Sequence, residues 1–123
     1  MPPKLRDACL LLAYCSLIFW LSSRSTLPLP MLFAHEDKLV HAAAYALMGW
    51  LAWRSFGHWS PAPWLLVGIS VSFCSLYGAG DEWHQSFVPG RDADVFDWLA
   101  DTLGATLAGV VLFRIQPRSS IGM

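Results

Sequence analysis

The sequence predicts an all-α fold: an integral membrane bundle of four transmembrane helices, forming a single domain over residues 1–123. Three observations lead there. The 123 residues are 55% hydrophobic and only 14% charged, against about a quarter charged in an ordinary soluble domain. Apolar runs near the ~20 residues that cross a bilayer occur four times, with proline- or glycine-bearing breaks between them. Apart from Asp7, every carboxylate falls in two stretches at the ends of those runs.

The first span is placed at residues 8–23. Lys4 and Arg6 precede it as in a signal peptide, but Trp20-Leu21-Ser22-Ser23 lacks the small residues of a cleavage site. Tyr14 is too bulky for the lipoprotein box that Leu12-Ala13-Tyr14-Cys15 otherwise resembles, so an uncleaved span is expected. Leu27-Pro28-Leu29-Pro30 ends it, and a second span follows at 39–56. Ser60-Pro61-Ala62-Pro63 leads into the third, 63–80, and Pro89-Gly90 separates that from the fourth, 95–115. A soluble four-helix bundle would need a polar face on every helix, and residues 8–20 and 63–73 offer almost none. Cys9, Cys15 and Cys74 lie inside apolar runs and read as small buried hydrophobes, not as a disulfide framework. Ala42, Ala43, Ala46 and Gly49 in span two, and Ala100, Gly104, Ala105, Ala108 and Gly109 in span four, permit close backbone approach. Contact between these spans would bring His41 near Asp97.

Cations set the orientation. With the N-terminus inside, Lys4, Arg6, Arg54, Arg114 and Arg118 lie on the cytoplasmic side, and Arg24, Lys38 and Arg91 outside. The expectation is a multi-pass cell-membrane protein with both termini cytoplasmic, Leu29 and Asp92 outside, and His58 and Ser119 inside. Trp20, Trp83 and Trp98 fall near outer ends, and Trp50, Trp53, Trp59 and Trp64 near inner ends, as an aromatic belt requires. Both acidic stretches then meet at the outer surface. The net charge of −1 gives no electrostatic case for nucleic acid.

The first stretch is His35-Glu36-Asp37-Lys38-Leu39-Val40-His41. On a helix from Asp37, the side chains of Lys38, His41 and Tyr45 share one face. His41 suits a general base, with Glu82 or Asp97 as the carboxylate that orients it. In the second stretch, Asp81 and Gln85 share a face with Glu82 beside them, and Pro89-Gly90 presents Arg91, a residue suited to phosphate or carboxylate. Asp94 and Asp97 open span four, where Asp97 gains from the helix dipole. Asp101 lies a turn deeper and needs Lys38, Arg91 or a proton as partner. The catalytic candidates are therefore His41, Glu82 and Asp97. The binding candidates are Asp37, Lys38, Tyr45, Asp81, Gln85, Arg91, Asp94 and Asp101. His41, His84, Glu82, Asp97 and Asp101 have ligand chemistry, but no metal-binding spacing occurs along the chain, and Lys38 and Arg91 oppose a cation. No metal and no cofactor are expected. The plainer alternative for the whole set is an ion-pair network that fixes helix register, with Lys38 reaching to the headgroups. His35 and His58 read as loop residues.

The series Asp37-Lys38-x-x-His41-x-x-x-Tyr45, Asp81-Glu82-x-x-Gln85-x-Phe87-x-Pro89-x-Arg91 and Asp94-x-x-Asp97, followed by Gly104, resembles the VanZ-like family, named for a teicoplanin-resistance protein. The resemblance runs from about Asp37 to Gly109. It implies a small helical bacterial membrane protein linked to the cell envelope, and it carries no catalytic assignment. Many members have Asn where this chain has Asp101, so no role is carried over there.

The leading functional expectation is an envelope protein whose outward-facing polar pocket binds an anionic or polar component, a membrane lipid or a lipid-linked envelope precursor, with a link to glycopeptide resistance. Two alternatives stand beside it: a membrane-embedded hydrolase or transferase using His41 with a carboxylate, and a structural scaffold in an envelope complex. The oligomeric state is not legible in the sequence.

Overall fold

The computed structural model describes residues 1–24, 36–59, 62–91 and 93–115, with the side chains of Glu36 and Asp37 outside that description. Leu29, His35, Asp92, Arg118 and Ser119 lie outside it too. Four helices follow in order: α1 (Pro3–Ser22), α2 (Glu36–Phe56), α3 (Pro63–Gln85) and α4 (Val95–Ile115). Among the described residues there is no strand.

α2 starts at Glu36, three residues before the expected span, α1 ends at Ser22, one residue short, and two boundaries differ more. α1 begins at Pro3, because a proline in the first turn lacks only an N–H that would have no intrahelical partner anyway. α3 continues to Gln85, so Asp81, Glu82 and Gln85 are helical. Gly78 does not end the helix, because it is the surface on which Asp101 rests: a Cβ there would stand 3.0 Å from Asp101 Oδ2. The reversal comes at Gly90, whose φ of 84° favours glycine.

α1, α3 and α4 are long and apolar enough to cross a membrane. α2 is of similar length but is the least apolar of the four, since Glu36, Asp37, Lys38 and His41 crowd its start and Arg54 its end. Like α3 it touches all three other helices, and its interface with α4 is the largest among the described residues. The core joins Leu11, Cys15 and Ile18 of α1, Tyr45, Met48, Leu51 and Ala52 of α2, Cys74 of α3 and Ala105 of α4. Gly49 lies against Ala105 and Ala108. Gly104 lies against the Ala42 backbone so closely that a Cβ would overlap the Ala42 carbonyl. The expected approach of the second and fourth helices is therefore present at atomic contact.

Three details correct the sequence reading. Trp53 is not in a surface belt; it is buried with Leu66 and Leu112. Cys9 is exposed, whereas Cys15 and Cys74 are buried. His58 is not a spectator in a loop. Its Nε2 lies 2.7 Å from Asp7 Oδ2, and Arg54 Nη2 and Arg6 Nε each lie 3.2 Å from Asp7 Oδ1. Asp7 is only 4% exposed, so Arg54 and His58 stitch the start of α1 to the end of α2. His58→Ala is accordingly expected to destabilise the bundle by ~1.5–3 kcal/mol, the value of a hydrogen bond to a charged group. Thermal unfolding in detergent checks this, and an unchanged midpoint would count against the stitch.

Candidate functional site

The C-terminal ends of α1 and α3 and the N-terminal ends of α2 and α4 meet at one end of the bundle, which gathers the acidic residues of both stretches. Local capping fixes much of this geometry. Asp94 opens α4 as its N-cap, its Oδ1 accepting from Phe96 N at 2.9 Å. Asp97 then falls at the third helical position, near the positive end of the helix dipole. Across the interface, Lys38 Nζ donates to Asp97 Oδ1 at 2.7 Å and to Asp94 Oδ2 at 3.0 Å. The backbone N–H of Asp94 donates to Glu82 Oε2 at 2.9 Å, which ties α3 to the start of α4.

His41 lies one turn deeper. Its Nδ1 lies 2.7 Å from Asp101 Oδ1, and Asp101 is fully buried. Its Nε2 lies 3.7 Å from Asp97 Oδ2, beyond hydrogen-bond range. The carboxylate that orients the imidazole is thus Asp101, and the partner Asp101 requires is His41, not Lys38 or Arg91. His41, Glu82 and Asp97 each offer one donor atom such that all three atoms lie within 4.8 Å of one another. His84 is not part of that group; its ring stacks on Phe19 at 4.6 Å.

A second group lies on the α1 side. Tyr45, 1% exposed, places its hydroxyl 3.5 Å from Asp81 Oδ2. Ser22 donates to Asp81 Oδ1 and accepts from Gln85 Nε2. Among the described residues Arg91 reaches no carboxylate: its Nη1 donates to the carbonyls of Leu21 and Arg24 at 3.0 Å each, capping the end of α1. A cavity of about 80 Å³ separates α1 from α2 and α3 at this level. Ser22, His41, Tyr45, Asp81, Gln85 and Arg91 supply its polar wall, and Ile18, Leu21, Val40 and Ala44 its apolar one. It has room for several waters or one small polar group.

A family model described as VanZ/LLP1 matches residues 9–116 of the chain. The chain belongs to the VanZ/LLP1 family. No curated protein and no solved structure matches it. The VanZ/LLP1 match takes in all of α2, α3 and α4 and every residue of the site.

Of the residues singled out from sequence, the VanZ/LLP1 fold hydrogen-bonds Lys38, Glu82, Asp94 and Asp97 in one group and His41 with Asp101 in a second directly beside it. Tyr45, Asp81, Gln85 and Arg91 line the cavity beside it. The Asp37 side chain is outside the description. Sequence reasoning missed Ser22, which is 3% exposed and bridges Asp81 to Gln85. A serine at the end of an apolar run, followed by Ser23 and Arg24, was the available signal.

Proposed function

We propose that this VanZ/LLP1 protein is a four-span membrane protein, both termini cytoplasmic, whose polar pocket opens outward and binds the polar or anionic group of an envelope component. A membrane-lipid headgroup or a lipid-linked cell-wall precursor fits that chemistry, and the family resemblance connects it with glycopeptide resistance. The observation that carries the reading is the cavity between α1, α2 and α3, walled by buried polar side chains in a chain otherwise rich in hydrocarbon. Buried polar groups are costly without partners; here Ser22, Tyr45, Asp81, Gln85 and Arg91 bond to one another or to carbonyls at the end of α1, so a ligand would bind by exchanging for those partners. Lys38 and Arg91 are engaged with protein oxygens in this arrangement, so an anionic ligand would draw them from those partners.

A second reading rests on one observation. His41 is oriented through Nδ1 by a buried carboxylate while Nε2 lies beyond hydrogen-bond range of Asp97, an arrangement that suits a general base in a hydrolase or transferase. Native mass spectrometry of the gently extracted chain tests binding. A co-purifying lipid or lipid-linked sugar is expected, lost in Tyr45→Ala and Gln85→Ala. Absence of any bound species in the wild-type chain would sink the ligand reading.

A further inference from the structure

We propose that His41, Glu82 and Asp97 bind one divalent transition-metal ion, with Asp101 as the residue that positions the imidazole. Donors from three helices converge here: His41 from α2, Glu82 from α3 and Asp97 from α4. No motif could reveal this, because no two of the ligands share a helix.

Four observations carry the assignment. The imidazole has the hydrogen-bonding of a bound ligand: Nδ1 faces the Asp101 carboxylate at 2.7 Å, which leaves Nε2 with its lone pair toward the other donors. Metal-ligating histidines are held in this way by a second carboxylate. The 3.7 Å between His41 Nε2 and Asp97 Oδ2 is too long for a hydrogen bond. It is close to the ~3.3 Å expected between two donors on one tetrahedral ion with bonds of ~2.0–2.1 Å. Among the described residues Glu82 Oε1 is buried with no hydrogen-bond partner, in a residue 8% exposed, while Oε2 is taken by the Asp94 amide. A carboxylate oxygen sealed from water in this way is the atom a cation would satisfy. Finally, charge is unbalanced at this end. Asp81, Glu82, Asp94, Asp97 and Asp101 face Arg24, Lys38 and Arg91, an excess of two negative charges among the described side chains with His41 neutral. One divalent ion cancels it.

The donor set selects the ion class. An imidazole with two carboxylates suits Zn²⁺ or Mn²⁺, whereas Mg²⁺ and Ca²⁺ prefer oxygen alone. Three protein donors leave positions open for water or a ligand oxygen, the pattern of a working metal centre as opposed to a closed structural one. Lys38 does not block the site, since it holds Asp97 through Oδ1 while Oδ2 faces His41. It does reduce the charge available to the ion.

The test uses the full chain in detergent, stripped with chelator and titrated with ZnCl₂ by calorimetry. It contains no envelope component, so its failure is separable from failure of the ligand reading. One Zn²⁺ per chain is expected, with Mg²⁺ unable to compete. His41→Ala, Glu82→Gln and Asp97→Asn should each abolish stoichiometric uptake. Asp101→Asn should weaken affinity by roughly 10–100-fold, the usual effect of removing an outer carboxylate. Lys38→Met should tighten binding, which a merely structural role for Lys38 does not predict. No uptake by the wild-type chain, or uptake unchanged in all three ligand variants, would overturn the assignment. Where a variant fails to fold, the Co²⁺ spectrum of the wild-type chain decides. Low-symmetry visible bands without thiolate charge transfer support the site, and an aqua-ion spectrum or a thiolate band rejects it.

Discussion

Gly104→Ala is expected to be among the most damaging single-methyl changes in this chain. Its Cβ would overlap the Ala42 carbonyl, and the atom in the way is backbone, which cannot rotate aside as a side chain can. α2 and α4 must move apart along their principal interface. Overpacking of this kind costs about 1–3 kcal/mol and occasionally more. The movement also separates His41 from Asp101 and Lys38 from Asp97, so folded stability and site integrity should fall together. Gly68→Ala is the matched control. Nothing lies within 4 Å of a Cβ there, and alanine is the better helix former by up to about 1 kcal/mol, so that variant should equal or exceed the wild type. Thermal and denaturant unfolding in detergent reads both. Equal stability of Gly104→Ala and wild type would refute the backbone contact.

The second large effect is at the His41–Asp101 pair. His41→Ala is expected to abolish cellular activity and also to destabilise the fold by about 3–5 kcal/mol, the usual result of leaving one partner of a buried pair uncompensated. Asp101 has no exposure through which water could replace the imidazole. Adding Asp101→Leu to His41→Ala removes the orphaned charge and should restore most of the stability while leaving activity absent. This double-mutant cycle separates architecture from function, since a coupling energy is expected in stability alone. If His41→Ala leaves both stability and activity unchanged, neither the pair nor the pocket matters. Growth under glycopeptide challenge in a permissive host, with membrane protein quantified in parallel, supplies the functional reading. Arg91→Ala is not a clean functional probe, because Arg91 holds two carbonyls at the end of α1, and its loss is expected to loosen α1 as well.

Much of this arrangement was legible because membrane helices advertise themselves. Long apolar runs, proline-bearing breaks and small residues at four-residue spacing located all four helices and the α2–α4 contact. The two acidic stretches also converge as the alternation of helix directions requires. What could not be read was pairing at the level of atoms. Asp101 lies one turn below Asp97 on the same helix, and sequence spacing cannot say which of them His41 Nδ1 will face. That depends on the depth at which Gly104 lets α4 settle on α2, and Gly78 on Asp101. Arg91 was read as an exposed hand for a ligand because it follows Pro89-Gly90. The turn instead aims it at the frayed carbonyls of α1, a partner supplied by tertiary proximity alone. Asp7 and His58 were overlooked for the same reason: each is isolated in sequence, and their pairing exists only once α1 and α2 lie antiparallel.

The polar character of α2 bears on how the chain is made. It is the helix least able to enter lipid unaided, carrying Lys38 and His41 near its start and Arg54 near its end, and it forms the largest helix interface, with α4. Its chief partner, α4, is synthesised last. On the four-span reading, α2 emerges from the ribosome before the residues that pair with Lys38 and His41 exist. It would wait at the translocation site or the bilayer surface until α3 and α4 arrive to escort it inward. Biogenesis would then be a late, concerted closure around α2, not a sequence of independent insertions, and the ion pairs at the start of α2 would be formed in the final step.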